Sequence, residues 1–240
     1  MMQLRADSLV KTYRGQTVVD GVSIALNQGE VVGLLGPNGA GKTTAFYMIS
    51  GLVRPNGGQV YLNGVDITNW PIHRRARFGL GYLPQEPSIF RGMTVKGNLL
   101  SIMEAVGVPK RSQASMLEDL SDSMGIGHLE DSLGANLSGG ERRRVEIARS
   151  LISDPHYLLL DEPFAGIDPK TVLEIQGLIG ILKDRGLGVL ITDHNVRETL
   201  GITDRAYILA GGRILEEGDP AQIASSREAR RVYLGDGFSL

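Results

Sequence analysis

The strongest constraint on the fold of this 240-residue chain is a glycine-rich segment at positions 36–43 that ends in lysine and threonine. Its residues are Gly36, Pro37, Asn38, Gly39, Ala40, Gly41, Lys42 and Thr43, and Thr44 follows them directly. The short apolar run Glu30–Leu35 precedes the segment, and Thr43–Ser50 after it has helical character. A strand, a glycine loop and a helix in this order begin an α/β unit.

The same segment predicts phosphate binding. Glycines let backbone N–H groups curl around phosphates, and a helix that starts at the loop directs its positive dipole end at the same anion. Lys42 is expected to reach the phosphate oxygens, and the Thr43 hydroxyl to ligate Mg²⁺. The alternative is a glycine turn with an incidental lysine, but the flanking strand and helix favour a nucleoside triphosphate site.

The rest of the chain reads as an α/β body with an insertion. Strand signals at Thr17–Leu26 and Gln59–Asn63 favour a β-rich first part. Apolar residues recur at helical spacing over about 88–155, which predicts an inserted helical region. The short apolar runs Tyr157–Leu160 and Gly188–Thr192 predict buried parallel strands. A hairpin around Gly211-Gly212 and a short helical, arginine-rich tail are expected to follow.

Composition excludes several classes of protein. The chain has 25 Lys and Arg against 27 Asp and Glu, a net charge of −2, which argues against a generally basic nucleic-acid-binding surface. It has no cysteine, so disulfides, thiol catalysis and cysteine-ligated zinc are excluded. No apolar run has signal-peptide character or approaches the ~18 residues that span a bilayer. We therefore expect a soluble, cytoplasmic chain that reaches a membrane only through partners.

An acidic pair follows the first of the predicted parallel strands. Asp161 is expected to hold Mg²⁺ through a water molecule, and Glu162 to orient or deprotonate the water that attacks the γ-phosphate. Solvated acids at a strand end are the alternative for an isolated pair. His194 comes after the next strand and could contact the γ-phosphate, although a lone histidine there is more often structural.

The segment Leu137–Glu141 admits two interpretations. Ser138 and Glu141 fit a capping box at a helix start. Gly139 and Gly140 are not explained by capping, because consecutive glycines weaken a first helical turn. They suggest that backbone N–H groups approach a phosphate. The arginines at 142–144 are expected to form a solvated face rather than a nucleic-acid patch.

In their order along the chain, these motifs and Gln85 resemble those of ABC-type ATPases over essentially all 240 residues. The resemblance implies one domain, 1–240, with a P-loop NTPase core, an antiparallel β subdomain and an inserted α-helical subdomain. Its implied ligands are ATP and Mg²⁺, with Thr43, Gln85 and Asp161 on the metal.

The resemblance also implies further roles and an assembly. Tyr13 would stack on adenine, Gln85 would sense a transmembrane partner, and His194 would contact the γ-phosphate. In a homodimer, each ATP would lie between the glycine loop of one copy and Ser138–Gly140 of the other, with Asp168 crossing the interface. Two permease subunits would complete the transporter.

The segments 79–91, 140–149, 161–166, 190–199 and 231–235 are similar to those of ATPases of lipopolysaccharide export systems. This implies a motor on the cytoplasmic face of the inner membrane that drives extraction of lipopolysaccharide for export to the outer membrane. Phe90, in the proline-stiffened loop Pro84–Arg91, is expected to dock a permease helix; the alternative is that it anchors the loop to the helical core.

Two other functions fit parts of the sequence. One is the ATPase of another transporter, such as a branched-chain amino-acid importer. The other is a non-transport ABC ATPase that acts on ribosomes or DNA, but such proteins usually carry two ATPase modules or a long coiled coil, and this chain has one phosphate loop and no heptad run.

Overall fold

The structure is a computed structural model that describes residues 2–240, and its strands form two sheets. In chain order the strands are β1 (Gln3–Tyr13), β2 (Gln16–Asn27), β3 (Val31–Leu35), β4 (Gly57–Leu62), β5 (Val65–Asp66), β6 (Leu80–Leu83), β7 (Tyr157–Asp161), β8 (Gly188–Thr192), β9 (Arg205–Ala210) and β10 (Arg213–Gly218). One sheet has the order β2-β1-β4-β5 and is antiparallel, which agrees with the antiparallel β subdomain that the sequence resemblance implied.

The helices lie in the chain segments between the strands and after the last strand. They are α1 (Lys42–Ser50), α2 (Ile72–Arg77), α3 (Val95–Val106), α4 (Lys110–Ser123), α5 (Gly139–Leu151), α6 (Pro169–Asp184), α7 (Val196–Leu200), α8 (Pro220–Ser225) and α9 (Arg227–Ala229). A π-helical turn, Arg230–Leu234, follows α9, so the predicted helical tail is confirmed. The helices α3, α4 and α5 lie between β6 and β7, where the insertion was predicted.

The second sheet has the order β10-β9-β3-β8-β7-β6, and its strands are parallel except for β10. Both β7 and β8 are buried along their whole length. This confirms the prediction from their apolar runs, because strands covered by helices on both faces have no solvent side. The strand β10 pairs with β9 as the predicted hairpin, turning at Gly211 and Gly212.

The ends of four neighbouring parallel strands meet at one edge of this sheet. Leu83 of β6 lies opposite Leu160, and Asp161 of β7 lies opposite Thr192. Thr192 of β8 also lies opposite Leu34 of β3. Ligands of open α/β sheets bind beyond the carboxyl ends of their strands, so the loops after β3, β6, β7 and β8 define the site.

The helix α1 lies between the two sheets, where Phe46 and Met48 are fully buried in the apolar core. Its carboxyl end is closed by the buried guanidinium of Arg75, which donates to the carbonyl groups of Met48 and Ile49. The cation stabilises the negative end of the helix dipole. Burial lowers the pKa of Arg75 to about 10, against the opposing effect of Asp66.

Candidate functional site

The loop 36–41 between β3 and α1 requires glycine at specific positions. Gly36 has φ +145° and Gly41 has φ +101°, in the range that disfavours L side chains. A Cβ on Gly36 would lie 2.0 Å from the Leu209 carbonyl oxygen, and one on Gly41 would lie 2.5 Å from the Val18 carbonyl oxygen. The neighbouring strands β2 and β9 therefore fix the path of the loop through close backbone contact.

Lys42 is the first residue of α1 and folds back over the loop. Its Nζ donates to the carbonyl oxygens of Gly36 at 2.6 Å and Pro37 at 3.0 Å. Burial lowers the pKa of Lys42, and the negative charge of Glu162 opposes this shift. Lys42 is thus a buried cation at the loop, next to the acidic group predicted to act on water.

Asp161, the last residue of β7, and Glu162, the residue after it, lie in different environments. Asp161 is 3% exposed, and its Oδ2 accepts a hydrogen bond from the Tyr82 hydroxyl at 3.3 Å. Burial raises the pKa of Asp161, and the charge of Glu162 adds to the rise. Glu162 has φ +45°, and its N–H donates to the Thr192 carbonyl oxygen at 2.7 Å. A non-glycine residue in the left-handed region is a strained conformation typical of functional sites.

The residues after β8 bring a histidine to the same place. His194 Nδ1 lies 3.4 Å from Glu162 Oε2, and its side chain is about half exposed. The neighbouring Asp193 is fully buried, and its carboxylate accepts from the backbone N–H groups of Phe164 and Asn195. Burial raises the pKa of Asp193 against these hydrogen bonds. Asp193 therefore holds the segment after Glu162 against the segment that carries His194.

Two depressions meet at Glu162. One, of about 270 Å³, is lined by Val18, the loop residues 38–44 and Glu162. The other, of about 150 Å³, includes Gln85, Gly139 and Glu162 in its lining. The structure thus brings the glycine loop together with Glu162, and Gln85 together with Glu162. A larger groove of about 530 Å³ between α3 and α4 is lined, among the described residues, by none of the predicted site residues.

The Leu137–Glu141 segment forms a complete capping box at the start of α5. The Glu141 N–H donates to Ser138 Oγ at 3.3 Å, and the Ser138 N–H donates to Glu141 Oε2 at 2.8 Å. The capping interpretation of Ser138 and Glu141 is therefore confirmed within this chain. The expectation for the arginines was wrong at Arg143, which is buried and donates to the carbonyl oxygens of Pro84 and Asp161.

Two predicted site residues lie apart from the glycine-loop depression. Tyr13 ends β1 and is 45% exposed, with Lys11 Nζ 5.1 Å from its ring centroid. Asp168 caps α6 by accepting from the N–H groups of Lys170 and Thr171. Hydrogen bonds from Thr171 lower the pKa of Asp168. Within this chain, Asp168 acts as a helix cap.

The loop that carries Phe90 is held by side chains that the sequence did not single out. Asn98 of α3 accepts from the Phe90 N–H and donates to its carbonyl oxygen, while the Phe90 ring remains 47% exposed. The Arg149 guanidinium lies 4.7 Å from the centroid of that ring. Asn98 thus anchors the backbone at Phe90, while the ring is partly exposed and contacts Arg149 of α5.

A family model described as "ABC transporter" matches residues 19–165. The chain belongs to the ABC transporter family. It is 56% identical over 237 residues to the "Lipopolysaccharide export system ATP-binding protein LptB" of Acidithiobacillus ferridurans, covering 99% of this chain and 98% of that protein. It is 50% identical to the protein of the same description from Escherichia coli strain K12, with both chains fully covered.

The structural comparison agrees with this family. The chain resembles the crystal structure of the ADP conformation of MJ1267, described as an ATP-binding cassette of an ABC transporter. The TM-score is 0.88 at 31% identity, over 98% of this chain and 100% of MJ1267. The predicted fold class is confirmed, and by homology the chain is an ABC-type ATPase. Across residues 2–240, no helix combines the length and apolar character that a membrane crossing requires.

Proposed function

We propose that this chain is the ATP-hydrolysing motor of an ABC transporter that extracts lipopolysaccharide from the inner membrane for export. The proposed ATP hydrolysis rests on one observation: the loops after β3, β7 and β8 bring the glycine loop and His194 next to Glu162. Glu162 lines the same depression as the glycine loop, and His194 Nδ1 lies 3.4 Å from its carboxylate. A carboxylate beside a phosphate-binding loop can act on a water molecule that attacks the terminal phosphate.

The glycine loop supplies the nucleotide site in this proposal. The residues assigned to ATP are Gly36, Pro37, Asn38, Gly39, Ala40, Gly41, Lys42, Thr43, Thr44, Gln85 and Asp161, with Tyr13 at the adenine. Backbone N–H groups at the start of α1 bind the phosphates, and Lys42 neutralises part of their charge. His194 holds the γ-phosphate, and Glu162 takes a proton from the attacking water.

The donor atoms of Thr43, Gln85 and Asp161 fit Mg²⁺. A hydroxyl, an amide and a carboxylate supply the oxygen ligands that this hard cation prefers. When bound, Mg²⁺ neutralises charge on the β- and γ-phosphates. The Tyr82 hydroxyl donates to Oδ2 of the Asp161 carboxylate. Thr43 and Gln85 would hold the cation directly, and Asp161 would hold it through a water molecule.

We also propose that two copies of the chain act together. Ser138, Gly139, Gly140 and Asp168 of one copy face the ATP held by the other copy. The support is indirect: Gly139 lines a depression with Gln85 and Glu162, outside the glycine-loop depression of its own chain. The whole chain forms one ATPase domain, with a helical subdomain over about residues 88–155.

The proposed cargo rests on relatives that match along the whole chain. Those named as lipopolysaccharide export ATP-binding proteins are 50% to 56% identical. The chain would then lie on the cytoplasmic face of the inner membrane, bound to two permease subunits. Exposed Phe90, on a loop braced by Asn98, is the proposed contact with a permease helix. Such aromatic anchors carry much of the binding energy in interfaces.

The hydrolytic assignment is tested with Glu162→Gln. The amide keeps the shape of the side chain but cannot accept the proton, so turnover should fall by about 10²–10⁴-fold. Binding of ATP should be preserved, because Lys42, Thr43 and the loop are untouched. A turnover assay and an ATP titration on the same preparation separate these effects, and near-normal turnover would contradict the role of Glu162.

The docking assignment is tested with Phe90→Ala. Loss of a buried aromatic anchor should weaken co-purification with the permease subunits by about 2 kcal/mol or more. Phe78→Ala is the matched control, since Phe78 is also partly exposed but packs edge-on against Trp70 in another part of the fold. Equal recovery of the complex from the Phe90 variant and the wild type would exclude a docking role.

The cargo is tested with the intact transporter in vesicles. The chain and its co-purified permease subunits should release lipopolysaccharide to an acceptor when ATP is added, and the Glu162→Gln complex should not. Vesicles that contain only phospholipid provide the blank. ATP-driven uptake of a branched-chain amino acid, without release of lipopolysaccharide, would replace the proposed cargo with that of an importer.

A further inference from the structure

We propose that Tyr82 is a positioning residue that orients the carboxylate of Asp161 for the magnesium site. Neither the sequence motifs nor the family resemblance assigned a role to Tyr82. The inference rests on the Mg²⁺ site proposed above and concerns how this chain holds one of its ligands in place. It arises from the contacts of the Tyr82 side chain with the strand that carries Asp161 and with the helix that carries Thr43.

The first contact is a hydrogen bond between neighbouring strands. Tyr82 lies on β6, opposite Leu159 of β7, two residues before Asp161. From there its hydroxyl reaches forward along β7 to Asp161 Oδ2 at 3.3 Å. Asp161 is 3% exposed, so its hydrogen bond with Tyr82 is shielded from bulk solvent. The terminal torsion of an aspartate is soft, and a donor fixed to one oxygen restricts it.

The second contact fixes the tyrosine itself against α1. The Tyr82 ring lies 6.2 Å from the Phe46 ring and 6.5 Å from the Tyr47 ring, centroid to centroid, and meets the latter edge-on. Such geometry is favourable for aromatic pairs. Phe46 and Tyr47 follow Thr43 within one helical turn. The Tyr82 hydroxyl, which donates to Asp161, is therefore fixed relative to α1, the helix that carries the predicted ligand Thr43.

These contacts have a chemical consequence for the proposed site. The Tyr82 hydroxyl donates to one oxygen of Asp161 and so restrains the carboxylate, which would then accept a hydrogen bond from a water molecule bound to Mg²⁺. Groups that orient a metal ligand in this way commonly change metal affinity by about 10–100-fold. Removing the hydroxyl leaves the charge of Asp161 in place but releases its orientation.

The test compares Tyr82→Phe with Tyr157→Phe. Tyr157 is the matched control because it is a buried tyrosine at the opposite end of β7, where its hydroxyl donates to Asn63 Oδ1 at 3.0 Å. Binding of a fluorescent ATP analogue is titrated at increasing Mg²⁺ concentration, and also in the presence of a chelator. Thermal unfolding without nucleotide is measured for each protein.

For Tyr82→Phe we expect the half-saturating Mg²⁺ concentration to rise about tenfold. Its nucleotide affinity in chelator should equal that of the wild type, and Tyr157→Phe should leave the Mg²⁺ requirement unchanged. An unshifted requirement in Tyr82→Phe, or an equal shift in both variants, would overturn the role of Tyr82. If Mg²⁺ does not strengthen nucleotide binding to the wild type, the proposed metal site itself is overturned, and the role of Tyr82 with it.

Discussion

The helices α1 and α5 both have glycine at or next to their first residue, yet their first turns are completed in different ways. Among the described residues, no side chain caps α1, whose N-cap is Gly41. In contrast, α5 is capped by Ser138 and Glu141, which satisfy each other's backbone N–H groups. The N–H groups of a first helical turn need partners from outside the helix. Thus α5 finds partners for part of its first turn in its own chain, whereas we propose that α1 presents its N–H groups to a phosphate.

Glycine occurs at the starts of α1 and α5 for different reasons. Gly41 of α1 has φ +101°, and a Cβ there would meet the Val18 carbonyl oxygen at 2.5 Å. Gly139 and Gly140 of α5 lie outside the left-handed region. A Cβ on Gly140 would lie 2.7 Å from Thr171 Cγ2 of α6, so close helix packing is enough to explain that glycine. Only Gly139 still favours approach of a ligand to the backbone.

The difference indicates how each helix start contributes to binding. The stability of α5 does not depend on a ligand, because Glu141 already places a negative charge at the positive end of the helix. The first turn of α1 has no acidic residue and instead begins with Lys42. Bound phosphate should therefore stabilise the folded chain mainly through α1.

Gly41→Ala and Gly139→Ala should separate the two helices most strongly. Alanine at 41 adopts a strained φ that costs about 1–3 kcal/mol and displaces the loop. Losing two backbone donors to phosphate would weaken nucleotide binding on the order of 10²-fold. Alanine at 139 meets Ile167 Cγ2 at an ordinary 3.8 Å and should stabilise α5 by up to about 1 kcal/mol.

Nucleotide titrations and chemical unfolding measure both variants. The proposed difference between α1 and α5 would be contradicted if Gly41→Ala bound nucleotide like the wild type. It would also be contradicted if a single chain of Gly139→Ala no longer bound nucleotide. Loss of hydrolysis in Gly139→Ala with intact binding would instead agree with a role of Gly139 at the ATP of the second copy.

Ser138→Asp and Ser138→Ala distinguish capping from contact with phosphate. Aspartate is as good an N-cap as serine, so Ser138→Asp should unfold like the wild type, while Ser138→Ala should lose about 1 kcal/mol. If Ser138 faces the γ-phosphate of the other copy, the added negative charge should abolish hydrolysis in Ser138→Asp. Turnover at normal stability in the aspartate variant would leave Ser138 with a capping role alone.

How much of this arrangement the sequence predicts depends on whether the signal is local. The glycine loop, the apolar runs of β7 and β8 and the capping box all lie within a few neighbouring residues, and the structure confirms them. The buried Arg75 and Arg143 gave no such signal. Their acceptors are mainly backbone carbonyl groups distant in sequence, such as Met48 for Arg75 and Pro84 for Arg143.

Tyr82 illustrates the same limit at the site itself. Its hydroxyl meets Asp161, which is 79 residues away in sequence, because β6 and β7 are neighbours in the sheet. No strand was predicted around β6, and both this strand and its pairing with β7 were identified only from the fold. The positions of Tyr13 and Asp168 relative to ATP remain predictions, since they depend on how ligand and second copy approach.

Glu141→Gln should give the smallest effect and isolates charge from hydrogen bonding. Glutamine can still complete the capping box, so only the favourable interaction of a carboxylate with the helix dipole is lost, about 0.5 kcal/mol at low salt. Hydrogen bonds from Ser138 lower the pKa of Glu141 in the folded chain. The advantage of the wild type should therefore be complete above the unfolded pKa of about 4.3 and disappear as the pH falls through the lower folded value. Unfolding curves of both proteins from pH 7 downward measure this difference, and added salt should reduce it because Glu141 is partly exposed. A difference that persisted unchanged at acidic pH would mean that the capping box, rather than the charge, distinguishes α5 from α1.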